Sequence, residues 1–301
     1  MFTIFGSGFG LYGYLPALAG HLGEEVVLPQ SYEGKVRARP ELSGTLSKIR
    51  WVKDHDEALT LADGAVIATP PQFQGGIVER CLALPNIKRL ALEKPLAVTP
   101  AMAASLLSRL DASGVQYVVA YTLLHLNWYS DLAWPKDTDA EVELSWSFHA
   151  HHFAHDLHNW KRVHAQGGGP LRFFGVHILA MLASRGYTHV TSSRLDGAVP
   201  GEPERWNAAL SGPGLPACRV CVDSRSPKSY FEITSKGKER PLIALHDPFA
   251  LEAATGDADP RVAVLAEILG QLTTGNASLS DVYKLTNDLW MQAEERLTNS
   301  K

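Results

Sequence analysis

The chain has 301 residues, of which 45 % are hydrophobic and 20 % charged, and its formal net charge is −4. That length supports two domains that each bury a core, and the mildly acidic balance argues against a nucleic-acid partner, which calls for a basic excess. No apolar run reaches the ~18 residues that span a bilayer and the N-terminus enters a strand at once rather than a signal peptide, so the expected setting is cytoplasmic, without a membrane partner.

Phe2–Phe5 is a short apolar strand, and glycine crowds in directly behind it: Gly6-Ser7-Gly8-Phe9-Gly10-Leu11-Tyr12-Gly13 leads into a helical stretch. Glycines in that place let the backbone turn tightly and approach a pyrophosphate, whose charge then sits at a helix N-terminus. Two registers fit. Gly6 and Gly8 with Leu11 in the third place start at the strand end, whereas Gly8, Gly10 and Gly13 match in full but begin two residues later; the first is preferred for its position. Strands are then predicted at Glu25–Leu28, Lys48–Val52, Gly64–Ala68, Arg89–Leu92 and Gln116–Ala120, with helices near Ile77–Leu84 and Pro100–Leu110 between the later ones. Strands alternating with helices imply α/β architecture with a doubly wound parallel sheet, a Rossmann domain over residues 1–120. Ligands of such sheets bind at the carboxyl ends of the strands. Gly6 to Gly10, Thr69 and Pro70, and Glu93 and Lys94 all lie there and are the expected cofactor-binding residues, together with Gln30 and Ser31 after the second strand. The acid that would hold a ribose hydroxyl is missing at that last place. Pro29-Gln30-Ser31-Tyr32 stands there instead, with Lys35, Arg37 and Arg39 close by, which leans the expected cofactor, NAD or NADP, toward NADP.

The ordered set of a glycine-rich turn, Ala68-Thr-Pro-Pro71, Leu92-Glu-Lys-Pro-Leu96 and Gly167-Gly-Gly169 ahead of Gly175-Val-His177 resembles the glucose–fructose oxidoreductase and inositol dehydrogenase family, the Gfo/Idh/MocA group. The resemblance implies a Rossmann half that binds NAD(P) and a C-terminal α+β half, residues 121–301, built on an open, largely antiparallel sheet. It implies catalytic roles for Lys94, near the nicotinamide and the reacting carbon, and for His177, acting as acid or base on a sugar hydroxyl. It places Trp160 and Lys161 near cofactor and substrate. The chemistry is reasonable on its own terms. Removing hydride from a secondary alcohol requires its O–H proton to leave, which suits a histidine base, and a lysine cation stabilises charge developing on the oxygen. The sequence departs from the family where aspartates are common, with Phe173 and Ala180 in their places, and Gln74 stands where a histidine is often found. Arg172, beside Phe173, is an expected anchor for an anionic substrate group.

In the second half, Asp139–Phe148 alternates as a strand with one buried face. His151 and His155 follow four apart, without a complete metal-ligand set, so no metal is expected. Phe174–Ser184 reads as a buried helix, and strand-like runs follow at Val190–Leu195, Arg205–Leu210, Cys218–Asp223, Tyr230–Thr234 and Leu242–Leu245. Cys218 and Cys221 fall three apart on a strand, hence on opposite faces, so they do not form a shared metal site. Two helices, Arg261–Leu272 and Ser280–Leu297, close the chain. The reading that results is an NAD(P)-dependent oxidoreductase acting on a hydroxyl or ketone of a sugar, nucleotide sugar or cyclitol, assembled as a homodimer or homotetramer. The alternatives are a non-catalytic dinucleotide- or sugar-binding protein on the same fold, and an enzyme for a non-sugar ketone or imine.

Overall fold

The computed structural model describes residues 1–249, 259–274 and 279–299. They form two compact units, and the chain passes between them more than once. The first unit joins Met1–Leu96, Ser105–His125 and the stretch that carries the helix Val262–Thr274; the second holds Ala97–Ala104, the stretch beginning at Leu126, and the chain from Asp281. The single boundary expected after residue 120 is therefore corrected. The helix Val262–Thr274 buries Val264, Leu265, Ile268, Leu269 and Leu272, and it packs in the first unit, on the helical stretch after the glycine turn and on the sheet. An apolar helix face has to be covered, and here its cover is supplied by residues far away along the chain.

The first unit is a six-stranded parallel sheet in the order β3-β2-β1-β4-β5-β6. The strands are β1 Phe2–Phe5, β2 Val26–Pro29, β3 Ile49–Val52, β4 Gly64–Ile67, β5 Arg89–Leu92 and β6 Gln116–Val119. β1, β2 and β4 are buried along their whole length, as strands covered on both faces are. Residues 9–21, just after β1, are helical with stretches of wide, π-type turns at Gly10–Tyr14 and Pro16–His21.

The second unit is a seven-stranded sheet in the order β12-β11-β7-β10-β9-β8-β13. Its strands are β7 Glu141–His149, β8 His189–Asp196, β9 Arg205–Ser211, β10 Ala217–Asp223, β11 Arg225–Ser235, β12 Ile243–Leu245 and β13 Leu297–Asn299. β7 with β10 and β8 with β13 run parallel, and the other pairs antiparallel. Alternation places Val142, Leu144 and Trp146 in the core. It also separates the two cysteines: Cys218 is buried and Cys221 only half-buried. Two edges differ from the expected pattern. β11 begins at Arg225, ahead of a bulge between Arg225 and Tyr230. The last helix ends at Glu295, and Leu297–Asn299 becomes a strand beside β8, because β8 otherwise presents an unpaired edge there. Among the described residues no helix is long and apolar enough to cross a membrane.

Candidate functional site

The parallel sheet brings three of the expected segments to one edge. Ala68 N–H donates to the Phe5 carbonyl at 2.8 Å and Glu93 N–H to the Ile67 carbonyl at 3.0 Å, so the ends of β1, β4 and β5 stand side by side. Gly6 closes β1 with φ +118°, and a Cβ on it would lie 2.2 Å from the Ala68 carbonyl oxygen. A side chain at Gly8, by contrast, would meet nothing within 4 Å. This is a cradle tight on the protein side and open above, with Gly8 at the start of the helical stretch: Leu11 N–H bonds to its carbonyl at 2.9 Å. The geometry follows the register of Gly6, Gly8 and Leu11, and Leu11 is buried in the third place. The Thr69 hydroxyl oxygen at the end of β4 is buried without a hydrogen-bond partner among the described residues, a group that a ligand would satisfy. Bare glycine backbone, a helix start and an orphaned hydroxyl fit a dinucleotide pyrophosphate.

At the end of β2, Gln30–Tyr32 forms one tight turn. Gln30 and Ser31 are exposed. The residue that reaches the glycine turn is Tyr32, whose hydroxyl accepts from Gly6 N–H at 3.1 Å. His55 Nε2 lies 3.2 Å from the same oxygen, and its ring stacks on Phe5 at 4.4 Å. Burial raises the Tyr32 phenol above its ordinary pKa, against a smaller lowering by the Gly6 bond. Lys35, one turn on, donates from Nζ to the Ser7 hydroxyl at 2.7 Å.

The Glu93-Lys94-Pro95 loop, whose Lys94–Pro95 peptide is cis, is tied down from two sides. Tyr14, fully buried, donates from its hydroxyl to Glu93 Oε1 at 2.6 Å, and Gln74 Nε2 donates to the Pro95 carbonyl at 2.8 Å. Lys94 N–H donates to Glu93 Oε2 at 3.2 Å. Arg261 lies 4.1 Å over the Phe9 ring while paired with Asp259 at 2.7 Å. Tyr14 and Arg261 were not singled out by sequence. The regular recurrence of buried positions along residues 9–21 gives no sign of which of them will meet Glu93.

In the second unit the glycine triplet is a packing device. Gly169 N–H donates to the Lys161 carbonyl at 2.8 Å, and a Cβ on Gly168 would lie 2.2 Å from the Trp160 carbonyl oxygen. The backbone of Trp160 and Lys161 is thereby held against residues 167–169. Their side chains turn to Phe173, with the Trp160 ring edge-on at 5.2 Å and Lys161 Nζ 5.3 Å from the ring centre. Phe174, Phe148 and Trp146 extend the aromatic surface. His177 opens the helix Val176–Ser184, is 4 % exposed and lies edge-on to Phe249 at 5.5 Å. His152, stacked at 6.2 Å on Phe174, is lowered to about 4 by burial and by the nearby cations Lys161 and Arg162, so it is neutral at physiological pH. His151 and His155 do share a face, with ring centres 4.3 Å apart; among the described residues no group of three or more potential ligands forms around a metal-sized site.

Arg172 is drawn into the protein. It is buried and donates to Glu294 Oε1 at 2.7 Å, to Glu294 Oε2 at 3.1 Å, and to the carbonyls of Val98 and His164, each at 2.9 Å. Every nitrogen of its guanidinium is engaged, so it braces the π-type helical stretch Pro170–Gly175 that leads into the His177 helix. Trp290 Nε1 and His164 Nε2 complete the shell of Glu294 at 2.9 and 3.1 Å. Burial alone would raise the Glu294 carboxyl, but the bonds and charges of His164 and Arg172 outweigh it and hold the group at about 2.

Comparison with known proteins agrees with this architecture. Residues 3–121 match the Gfo/Idh/MocA family model, described as an oxidoreductase family with an NAD-binding Rossmann fold. The fold is similar over the whole chain to the WlbA dehydrogenase from Bordetella pertussis, solved with NADH and UDP-GlcNAcA, at 15 % identity and a TM-score of 0.70, covering 98 % of this chain and 96 % of that one. It is similar to a myo-inositol dehydrogenase from Corynebacterium glutamicum at 14 % identity and 0.69, covering 98 % and 96 %. An oxidoreductase from Thermotoga maritima gives 15 % identity and 0.72, covering 97 % and 94 %. No curated protein matches the chain by sequence.

Two outcomes follow from this geometry. Gly6→Ala loses about 2–4 kcal/mol in urea denaturation, since a left-handed backbone and a carbonyl clash add, whereas Gly8→Ala stays within about 0.5 kcal/mol; equal effects would refute the cradle. Glu294→Gln loses on the order of 3 kcal/mol at pH 7. The folded pKa is depressed, so that contribution is complete above the ordinary value of 4.5 and fades as pH falls through about 2; a gap to wild type that persists unchanged in acid would remove the ion pair as its source.

Proposed function

We propose that this chain, whose residues 3–121 belong to the Gfo/Idh/MocA oxidoreductase family with its NAD-binding Rossmann fold, is an NAD(P)-dependent oxidoreductase that interconverts a hydroxyl and a ketone on a sugar, nucleotide sugar or cyclitol. The observation that carries it is the alignment of three strand ends, with the Gly6–Gly8 cradle beside Thr69 and the braced Glu93-Lys94-Pro95 loop. When bound, the dinucleotide supplies the acceptor or donor of hydride. The cofactor-contacting set is Gly6 to Gly10, Thr69, Pro70, Glu93 and Lys94, with Gln30 and Ser31 at the rim.

Lys94 and His177 are the catalytic residues of this reading. In the oxidising direction His177 accepts the hydroxyl proton while the carbon loses hydride, and the Lys94 ammonium stabilises the oxygen as its charge grows. Reduction runs the same transfers backwards. Trp160 offers a ring face to a sugar, and Lys161 a cation to an anionic substituent. Lys161 and Arg162, whose charges add to the main effect of burial in lowering the basicity of His152, are cations on this side of the unit and favour an anionic substrate such as a nucleotide sugar. Phe173 and the buried Ala180, in places where an acid would orient the histidine, favour the second reading, a binder without turnover. We assign the protein to the cytoplasm, in keeping with its free cysteines Cys81, Cys218 and Cys221, and to a homodimer or homotetramer formed through the sheet of the second unit.

The test is a titration with NADH and NADPH followed by nicotinamide fluorescence, then steady-state turnover on a panel of UDP-sugars, aldoses and inositol. His177→Ala and Lys94→Ala are each expected to lower kcat by about 100-fold or more. Dinucleotide binding with no turnover on any panel member would leave the binder reading in place of the enzyme.

A further inference from the structure

Five histidines fall between His149 and His158, and the fold gives them different surroundings. His149 ends β7, in register with Arg225. His152 is buried and stacked on Phe174. His158 has charged neighbours on both ring nitrogens, with Asp156 3.5 Å from Nε2 and Arg162 Nη1 3.1 Å from Nδ1. His151 and His155 are exposed and, among the described residues, have neither a hydrogen bond nor an ion pair. What each faces is the other, with ring centres 4.3 Å apart and planes inclined at 47°. The turn that carries them is fixed in advance. Ala150 N–H donates to the Ser224 carbonyl at 2.8 Å at the entry of the short helix His151–Ala154, and His155 N–H donates to the His151 carbonyl at 3.0 Å. His152 and Phe153 anchor the inner side of the turn, Phe153 against the guanidiniums of Arg162 and Arg225 at 4.8 and 5.3 Å. That leaves residues 151 and 155, four apart, to share the outer side.

A neutral imidazole nitrogen with no protein partner is a ligand for divalent transition metals. Two of them at i and i+4 have the spacing that metal-binding helices use, and a backbone already fixed lowers the ordering cost of chelation. The separation also selects a geometry. With metal–nitrogen bonds of about 2.1 Å, rings whose centres are 4.3 Å apart subtend about 85° at an ion in line with one nitrogen of each. That is close to the ~90° between neighbouring positions of a square-planar or tetragonal ion, and well short of the ~109° of a tetrahedral one. Asp156, directly after His155, supplies a carboxylate that offsets Arg162, its partner at 3.1 Å. We infer that His151 and His155 form an open two-imidazole site for a divalent transition-metal ion, copper ahead of nickel and zinc, with water in the remaining positions. The sequence has no third ligand in the pattern, and an open site of this kind does not need one. The site is independent of dinucleotide binding.

The experiment is a calorimetric titration of the tag-free full chain with copper(II), nickel(II) and zinc(II) chlorides in a non-coordinating buffer, with electron paramagnetic resonance of the copper form. It compares the wild type with His151→Ala, His155→Ala and the two combined, and uses His149→Ala and His158→Ala as controls. All four side chains are exposed, so the replacements leave the fold intact, which circular dichroism verifies. The wild type is expected to take up about one equivalent of copper at least about tenfold tighter than zinc, with coupling to two nitrogens in the spectrum. Loss of either histidine is expected to weaken copper binding by about tenfold or more. The combined variant is expected to lose little beyond either single one, because a lone imidazole is no chelate. The controls are expected to move by less than about twofold. No copper uptake by the wild type, unchanged affinity in either variant, an equal loss in a control, or zinc bound as tightly as copper would each overturn the site.

Discussion

The close approach of β1 and β4 at Gly6 is the contact on which the first unit depends. The Ala68 carbonyl occupies the space that any Cβ on Gly6 would need, so the two strand ends can sit side by side only if residue 6 is glycine. Their adjacency sets where the helical stretch begins, exposes the bare backbone of Gly8, and aligns Thr69 and Glu93 along one edge. Tyr14 and Gln74 then fasten the loop that holds Lys94. The lysine is thus placed by the sheet, and its neighbours hold it there.

The second unit solves a different problem. The glycine triplet leads into the helix of His177 through the π-type helical stretch Pro170–Gly175, whose one buried cation, Arg172, needs a counterion. Glu294 meets it, at a sequence separation of 122 residues. A buried charge left alone would be costly, while one with full hydrogen bonding is tolerated; this explains why Trp290 and His164 also converge on the same carboxylate. The ion pair binds the last helix to the helical stretch before His177, so the position of the histidine depends on a residue near the C-terminus. The aromatic surface of Trp146, Phe148, Phe173 and Phe174 supplies the apolar counterpart, edge against face as ring quadrupoles prefer.

Periodicity carried most of the architecture into view. All six strands of the parallel sheet and the main strands of the second sheet were legible, because runs of two-sided burial and strict alternation are local properties of sequence. The split of Cys218 from Cys221 followed from alternation alone. The domain boundary did not, since the helix Val262–Thr274 has the apolar face of any packed helix and carries no label for the sheet it covers. Leu297, the last residue of the helix that the sequence predicts, opens the short strand Leu297–Asn299 for a similar reason: only the open edge of β8 makes it a strand.

The site shows the same division. The sequence by itself determined the glycine turn and the strand-end placement of Thr69, Glu93 and Lys94, because each depends on a residue type at a fixed distance from a strand. Tertiary structure alone decided which polar groups meet. It turned Arg172 inward to Glu294, brought Tyr32 and not Ser31 to Gly6, and set Lys35 on Ser7. The physical reason is that a charge is defined by its surroundings, and here those surroundings come from residues far apart along the chain that only folding brings within hydrogen-bonding distance.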